Sequence, residues 1–358
     1  MTTGPPALPA RPSSELPTDT GSGRPPLLEV ENLTVTVTPP GERRRVNVIT
    51  GISFGVSTGE AVGLVGESGS GKSLTLRAIL GLLPAGADVA SGAVRFEGLD
   101  LLTAGKRVVQ RIRGTGITMI FQEPMTALNP VVRVGEQIVD AARRQLNWSR
   151  KDSSEHALRL ARHMGIRDPD TVLSLYPHEL SGGLRQRVMI AAALACQPRL
   201  VLCDEPTTAL DVTIQAQIVG LLAQLRHQTE MSLLYVTHDL AVVAQLCQRL
   251  EVMYAGRIVE KGSVAEIFRS PRHPYTLGLV RATPDVHAVV DELVGIPGSA
   301  PHLGARPGGC AFHPRCGFAT SECSTTEVPL VDLGHGRASA CIHVEACERA
   351  TQGLEPVP

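Results

Sequence analysis

The chain has 358 residues, 43% of them apolar and 19% charged, which suits a folded globular protein and excludes a fibrous or wholly disordered one. Its 34 basic and 35 acidic residues leave a formal charge of −1, so nothing in the balance supports a nucleic-acid partner or a polybasic membrane anchor. Aromatics at 3% leave few rings for stacking bases, and no apolar run reaches the ~18 residues that span a bilayer.

Residues 1–26, rich in Pro, Thr, Ser and Gly, predict a disordered leader without the apolar stretch of a signal peptide. Leu28, Val30, Leu33, Val35 and Val37 then lie in a strand-like stretch, and Pro39-Pro40-Gly41 makes a turn. Residues 46–49 and 52–56 read as two further short strands. Residues 61–65 are almost wholly apolar and bounded by glycine, the pattern of a strand buried on both faces.

A helix is expected from Lys72 to about residue 83, stopped by Pro84. Residues 134–173 are mostly helical in pattern. Residues 200–203 and 233–236 again look like buried strands, each followed by a helical segment. The alternation predicts an α/β fold on a parallel sheet, with a helical block inserted in the middle. The expected boundaries are residues 27–270 for the main domain, with its helical part at about 125–190, and 271–358 for an extension rich in Pro, Gly and Cys.

Gly66-Glu67-Ser68-Gly69-Ser70-Gly71-Lys72-Ser73 matches G-x-x-x-x-G-K-[ST] in full, between a buried strand and a helix start. Gly66, Gly69 and Gly71 let successive backbone N–H groups turn inward around an anion, and the helix start adds partial positive charge. Lys72, one of four lysines, would reach the β and γ phosphates, and the Ser73 hydroxyl would hold Mg²⁺. Asp204 and Glu205 follow the strand at 200–203. Carboxylates at the C-terminal end of a parallel strand face the ligand crevice, so Asp204 suits the Mg²⁺ shell and Glu205 suits a general base. His238 also follows an apolar strand and is by itself ambiguous.

Leu180-Ser181-Gly182-Gly183, followed by Arg185-Gln186-Arg187, resembles the signature motif of ATP-binding-cassette (ABC) ATPases. The phosphate loop, Phe121-Gln122, this signature, Asp204-Glu205, Ala209-Leu210-Asp211 and His238 stand in that family's order. Phe121-Gln122-Glu123-Pro124-Met125, the run from Asp204 to Thr213, Met253-Tyr254-Ala255-Gly256-Arg257 and His273-Pro274-Tyr275-Thr276 are similar to the ATP-binding subunits of oligopeptide and dipeptide ABC importers. The resemblance covers residues 27 to 341.

It implies a P-loop ABC nucleotide-binding domain with a RecA-like core, an antiparallel β subdomain and a helical subdomain, hydrolysing ATP with Mg²⁺ to power peptide uptake. It also implies a second ATPase subunit, most simply a paralogue, packed head to tail so that Ser181, Gly182 and Gly183 serve the partner's nucleotide. Gln122 would sense Mg²⁺ and the γ-phosphate, Asp211 would lie in the D-loop, and His238 would orient the attacking water. Two transmembrane permease subunits and an extracytoplasmic substrate-binding protein would complete the complex, placing this chain at the cytoplasmic face of the membrane. Uptake of nickel or another small solute and a non-transport ABC ATPase are the competing functions. A small-molecule kinase would leave the signature and Asp211 without a role.

Two departures stand out. Val37 lies where the family places an adenine-stacking aromatic, leaving the base to Val37 itself or to one of Arg43, Arg44 and Arg45. Leu184 stands where many relatives have Gln.

Five of the eight cysteines fall in the extension. Cys310, Cys316, Cys323 and Cys341 are spaced too irregularly for the close pairs of structural zinc, but four thiolates so spaced can hold an iron–sulfur cluster. The run from Gly309 to Cys316 resembles the importer family's C-terminal extension, which implies a [4Fe–4S] cluster. Cys347 would be a spare ligand, and Cys196, Cys203 and Cys247 read as core.

Overall fold

The computed structural model describes residues 25–39, 41, 44–208, 210–283, 295–302 and 304–351. The leader expected at 1–26 falls, apart from Pro25 and Pro26, outside them. In chain order the strands are β1 (Leu28–Val37), β2 (Val46–Val56), β3 (Ala61–Val65), β4 (Ala87–Phe96), β5 (Leu99–Asp100) and β6 (Ile117–Ile120). They continue with β7 (Leu200–Asp204), β8 (Ser232–Thr237), β9 (Arg249–Tyr254), β10 (Arg257–Ser263), β11 (Val331–Gly334) and β12 (Arg337–Ser339).

Strands β2-β1-β4-β5 form an antiparallel sheet, and β11-β12-β10-β9-β3-β8-β7-β6 form the main one. From β9 to β6 the main sheet is parallel. Its central strands are buried on both faces, as their unbroken apolar runs require. Alternate residues therefore serve two cores. Ala61, Val65, Leu233 and Tyr235 pack with the helical block, while Val62, Leu64, Leu234 and Val236 pack under the antiparallel sheet.

Residues 46–56 form one strand rather than the expected two. Gly51, at a φ of 60°, and shifts in the β1–β2 register absorb the irregularity without ending the pairing. The helix Lys72–Ile79 stops short of the expected end because Gly81 closes it. The Gly81 N–H bonds the Ala78 carbonyl and the Leu82 N–H bonds the Arg77 carbonyl, before Pro84 could act.

The helical block is built from Pro124–Ala127, Val134–Leu146, Arg150–His163 and Pro169–Ser174, and Gly182–Leu194 returns to the sheet. Ile138, Leu160, Met164 and Val188 fill its centre. The extension does not stand apart from the ATPase core. Strand β12 pairs with β10, Glu260 opposite Ser339, so the hairpin of β11 and β12 prolongs the main sheet. Those strands are too short for an alternation that could be read beforehand.

Candidate active site

The phosphate loop leaves the buried end of β3 and enters the helix Lys72–Ile79. Gly66 is required by its surroundings, because a Cβ there would collide with the backbone carbonyl of Met253 in β9. Gly71 starts the helix at a φ of 105°, a conformation that favours glycine. Lys72 is 5% exposed, and its Nζ donates to the carbonyls of Gly66 at 2.7 Å and Glu67 at 3.0 Å. Burial lowers its pKa, while Glu205 and Asp204 act in the other direction. The Oγ of Ser70 is buried and has no hydrogen-bond partner among the described residues, so the loop carries a donor that an anion at the helix start would satisfy. Ser68 and Gly69 are exposed at the loop's crest.

The second half of the site comes from β7 and β8. The Ser73 hydroxyl donates to Asp204 Oδ1 at 2.6 Å, which puts two hard oxygen donors of the kind Mg²⁺ takes side by side. Burial raises the Asp204 pKa, and the Ser73 bond opposes that shift. Glu205 turns away from the strand at a φ of 44°, its N–H bonded to the Val236 carbonyl. One of its carboxylate oxygens lies 3.8 Å from Lys72 Nζ. The other lies 3.2 Å from His238 Nδ1 and accepts from Thr208 Oγ1 at 3.0 Å. The structure thus brings Lys72, Ser73, Asp204, Glu205 and His238 into one cluster.

Among the described residues, the remaining candidates make no side-chain hydrogen bond to that cluster. Gln122 follows β6 and is exposed. Ser181 caps the helix Gly182–Leu194, its Oγ accepting from the Leu184 N–H, and both Ser181 and Gly182 are exposed. Asp211 caps Val212–Thr229 in the same way through the Ile214 N–H, and Ala209 lies outside the described residues. The two caps adjoin. A Cβ on Gly183 would touch Ile214, and Gln186 donates to the Pro206 carbonyl at 2.5 Å. Among the described residues, neither cap hydrogen-bonds to the phosphate loop of its own chain. Val37 ends β1 opposite Val46, Arg45 is engaged with Asp88, and Arg43 lies outside the described residues.

Sequence reasoning missed two residues that touch the loop from the extension. Tyr275, in the helix Pro274–Arg281, accepts the Glu67 N–H at 2.7 Å through its hydroxyl. Arg315 pairs with both Glu67 carboxylate oxygens, at 2.7 and 2.9 Å. Both stand in runs that resemble the importer family, but nothing local to either names its distant partner.

Cys310, Cys316, Cys323 and Cys341 all line one pocket of about 20 Å³. Burial pushes the thiols of Cys310, Cys316 and Cys341 up, the last to about 12. Among the described residues, however, no three or more His, Cys, Asp or Glu side chains are gathered so that they could hold a metal ion. The tertiary packing collects the four thiols without bringing them to ligand geometry, and the expected cluster is unsupported on this point. Cys347 is buried, as are Cys203 and Cys247, and Cys196 is half-buried.

A family model described as "ABC transporter" matches residues 49–208, and one described as "Oligopeptide/dipeptide transporter, C-terminal region" matches residues 259–323. The dipeptide transport ATP-binding protein DppD of Haemophilus influenzae is 45% identical over 309 residues, covering 86% of this chain and 93% of that protein. The oligopeptide transport ATP-binding protein OppD of Escherichia coli is 43% identical over 316 residues, covering 88% and 92%. Among solved structures, the dimeric ATP-binding cassette MJ0796 bound to ADP and Pi gives a TM-score of 0.60 at 26% identity, covering 66% of this chain and 98% of that one. With the phosphate loop, the paired carboxylates and His238 assembled on the fold such cassettes share, the chain belongs to the ATP-binding subunits of ABC transporters, in the oligopeptide/dipeptide transporter family, and is an ATPase.

Proposed function

We propose that this chain hydrolyses ATP at a site completed by a second ATPase subunit and thereby drives peptide import through separate membrane subunits. The observation that carries the reading is a division of labour on the surface. Lys72, Ser73, Asp204, Glu205 and His238 converge, while Ser181 and Gly182 are exposed and, among the described residues, make no hydrogen bond to their own phosphate loop. The helix start at Ser181 suits a phosphate, and in this reading it serves the partner's nucleotide.

The loop amides and Lys72 bind the β and γ phosphates. Mg²⁺, held by Ser73 and Asp204 with Gln122 reaching in, would supply charge neutralisation at the phosphates. Glu205 takes a proton from water as its oxygen forms a bond to the γ-phosphorus and the bond to the β–γ bridging oxygen breaks. His238, 3.2 Å from Glu205, orients that carboxylate and the water. No helix among the described residues is long and apolar enough to cross a membrane.

The test is Ser181→Arg in the assembled transporter. ATP binding to this chain should persist while turnover falls more than about ten-fold, the usual scale for losing a placed transition-state contact. Undiminished turnover overturns the composite site.

For the extension, we propose that Cys310, Cys316, Cys323 and Cys341 act as one unit, because they share a pocket. Iron and labile sulfide in anaerobically purified protein would support an iron–sulfur cluster there, and iron-free protein with full ATPase activity would reject it.

A further inference from the structure

We propose that Arg315 is a positioning residue for the phosphate loop, neutralising Glu67 and, with Tyr275, presetting the loop to receive ATP. The inference rests on reading that loop as the nucleotide site.

Glu67 is the second residue of the loop, and each of its polar groups is engaged. Its N–H donates to the Tyr275 hydroxyl at 2.7 Å, and its carbonyl accepts from Lys72 at 3.0 Å. Its carboxylate takes two parallel bonds from the Arg315 guanidinium. Such bidentate, charge-assisted pairs fix geometry as well as charge.

Arg315 is itself anchored. Its Nε donates to the Pro297 carbonyl at 2.8 Å, and its Nη1 lies 3.3 Å from the Tyr254 hydroxyl. Its side chain is 7% exposed, with the guanidinium 5.8 Å from the ring centres of both Tyr254 and Phe312. Phe312 is buried and packs on Tyr254 and Tyr275, so the same aromatic wedge seats both groups that grip Glu67.

The electrostatics give the pair a role beyond fastening the extension down. A carboxylate in a loop that cradles phosphates repels them, and the repulsion is strong where the surroundings exclude water. Arg315 cancels that charge. The bidentate bond also orders the first half of the loop before ATP arrives, lowering the entropy lost on binding. Neither effect needs Arg315 to touch the nucleotide. The expected signature is a change in KM for ATP with little change in kcat.

The test uses the assembled transporter for steady-state ATP hydrolysis and the full chain for thermal melts. Arg315→Ala should raise KM for ATP about ten-fold, the scale of one charge-assisted hydrogen bond, and leave kcat within about two-fold. Adding Glu67→Gln to Arg315→Ala should bring KM most of the way back, because the repelling carboxylate is then gone. Should Arg315→Ala fail to fold, Arg315→Lys keeps a point charge and should give a smaller rise in KM. A lowered melting temperature with unchanged KM would mean that Arg315 only staples the extension and would overturn the proposal. A double variant no better than Arg315→Ala would overturn it as well. Lys72→Ala serves as the control: if it binds ATP normally, the phosphate-site reading fails, and not this one alone.

Discussion

Glu205→Gln separates binding from chemistry at this site. The substitution keeps the side chain's size and removes its charge and its ability to take a proton. Thr208 Oγ1 at 3.0 Å and His238 Nδ1 at 3.2 Å hold the same carboxylate oxygen, so the amide oxygen can settle in its place. Loss of a positioned general base costs about 10²- to 10⁴-fold in rate, roughly 3–5 kcal/mol of barrier. Binding should move the other way. At 3.8 Å from Lys72, and with an effective dielectric of about 20, the Glu205 charge attracts the lysine by at most roughly 4 kcal/mol. That attraction competes with the phosphates for Lys72. Removing it leaves ATP affinity equal or higher. Phosphate release measured beside ATP retained through gel filtration reads both effects. Turnover within ten-fold of the parent would refute the base assignment, and ATP lost from the column would refute the electrostatic argument.

Two further outcomes follow from the packing. Gly66→Ala should cost about 1–3 kcal/mol in urea unfolding and sharply weaken ATP binding, because the new Cβ meets the fixed Met253 carbonyl rather than a side chain that can rotate. Parent-like stability would show that β9 yields freely. Glu260→Gln should cost about 2–4 kcal/mol, since its buried carboxylate accepts the N–H groups of Arg272 at 2.8 Å and His273 at 2.9 Å and an amide would turn a donor toward one of them. The extension should then be cut faster by protease, and an unchanged cleavage rate would contradict the anchoring role.

The nucleotide chemistry was legible because it is written in short spans. A loop of eight residues, a strand ending in two acids and a strand ending near His238 each carry their own placement, since a parallel sheet delivers all its strand ends to one edge. The apolar runs at residues 61–65, 200–203 and 233–236 announced that sheet before any contact was known.

The extension was not legible in the same way. Its composition pointed to an extension rich in Pro, Gly and Cys, but β12 is a three-residue strand, too short for an alternation that would name its pairing with β10. The cysteine spacing suggested ligands, and packing drew all four to one pocket without arranging a metal group among the described residues.

By itself, then, the sequence determined that the chain carries a phosphate loop, a paired-carboxylate strand and the ABC signature, and that the fold is α/β. Only the tertiary structure decided that Arg315 closes on Glu67. The reason is physical. Loop and cap conformations depend on residues a few positions apart, whereas a bond across 248 positions exists only once two sheets and an aromatic wedge have packed.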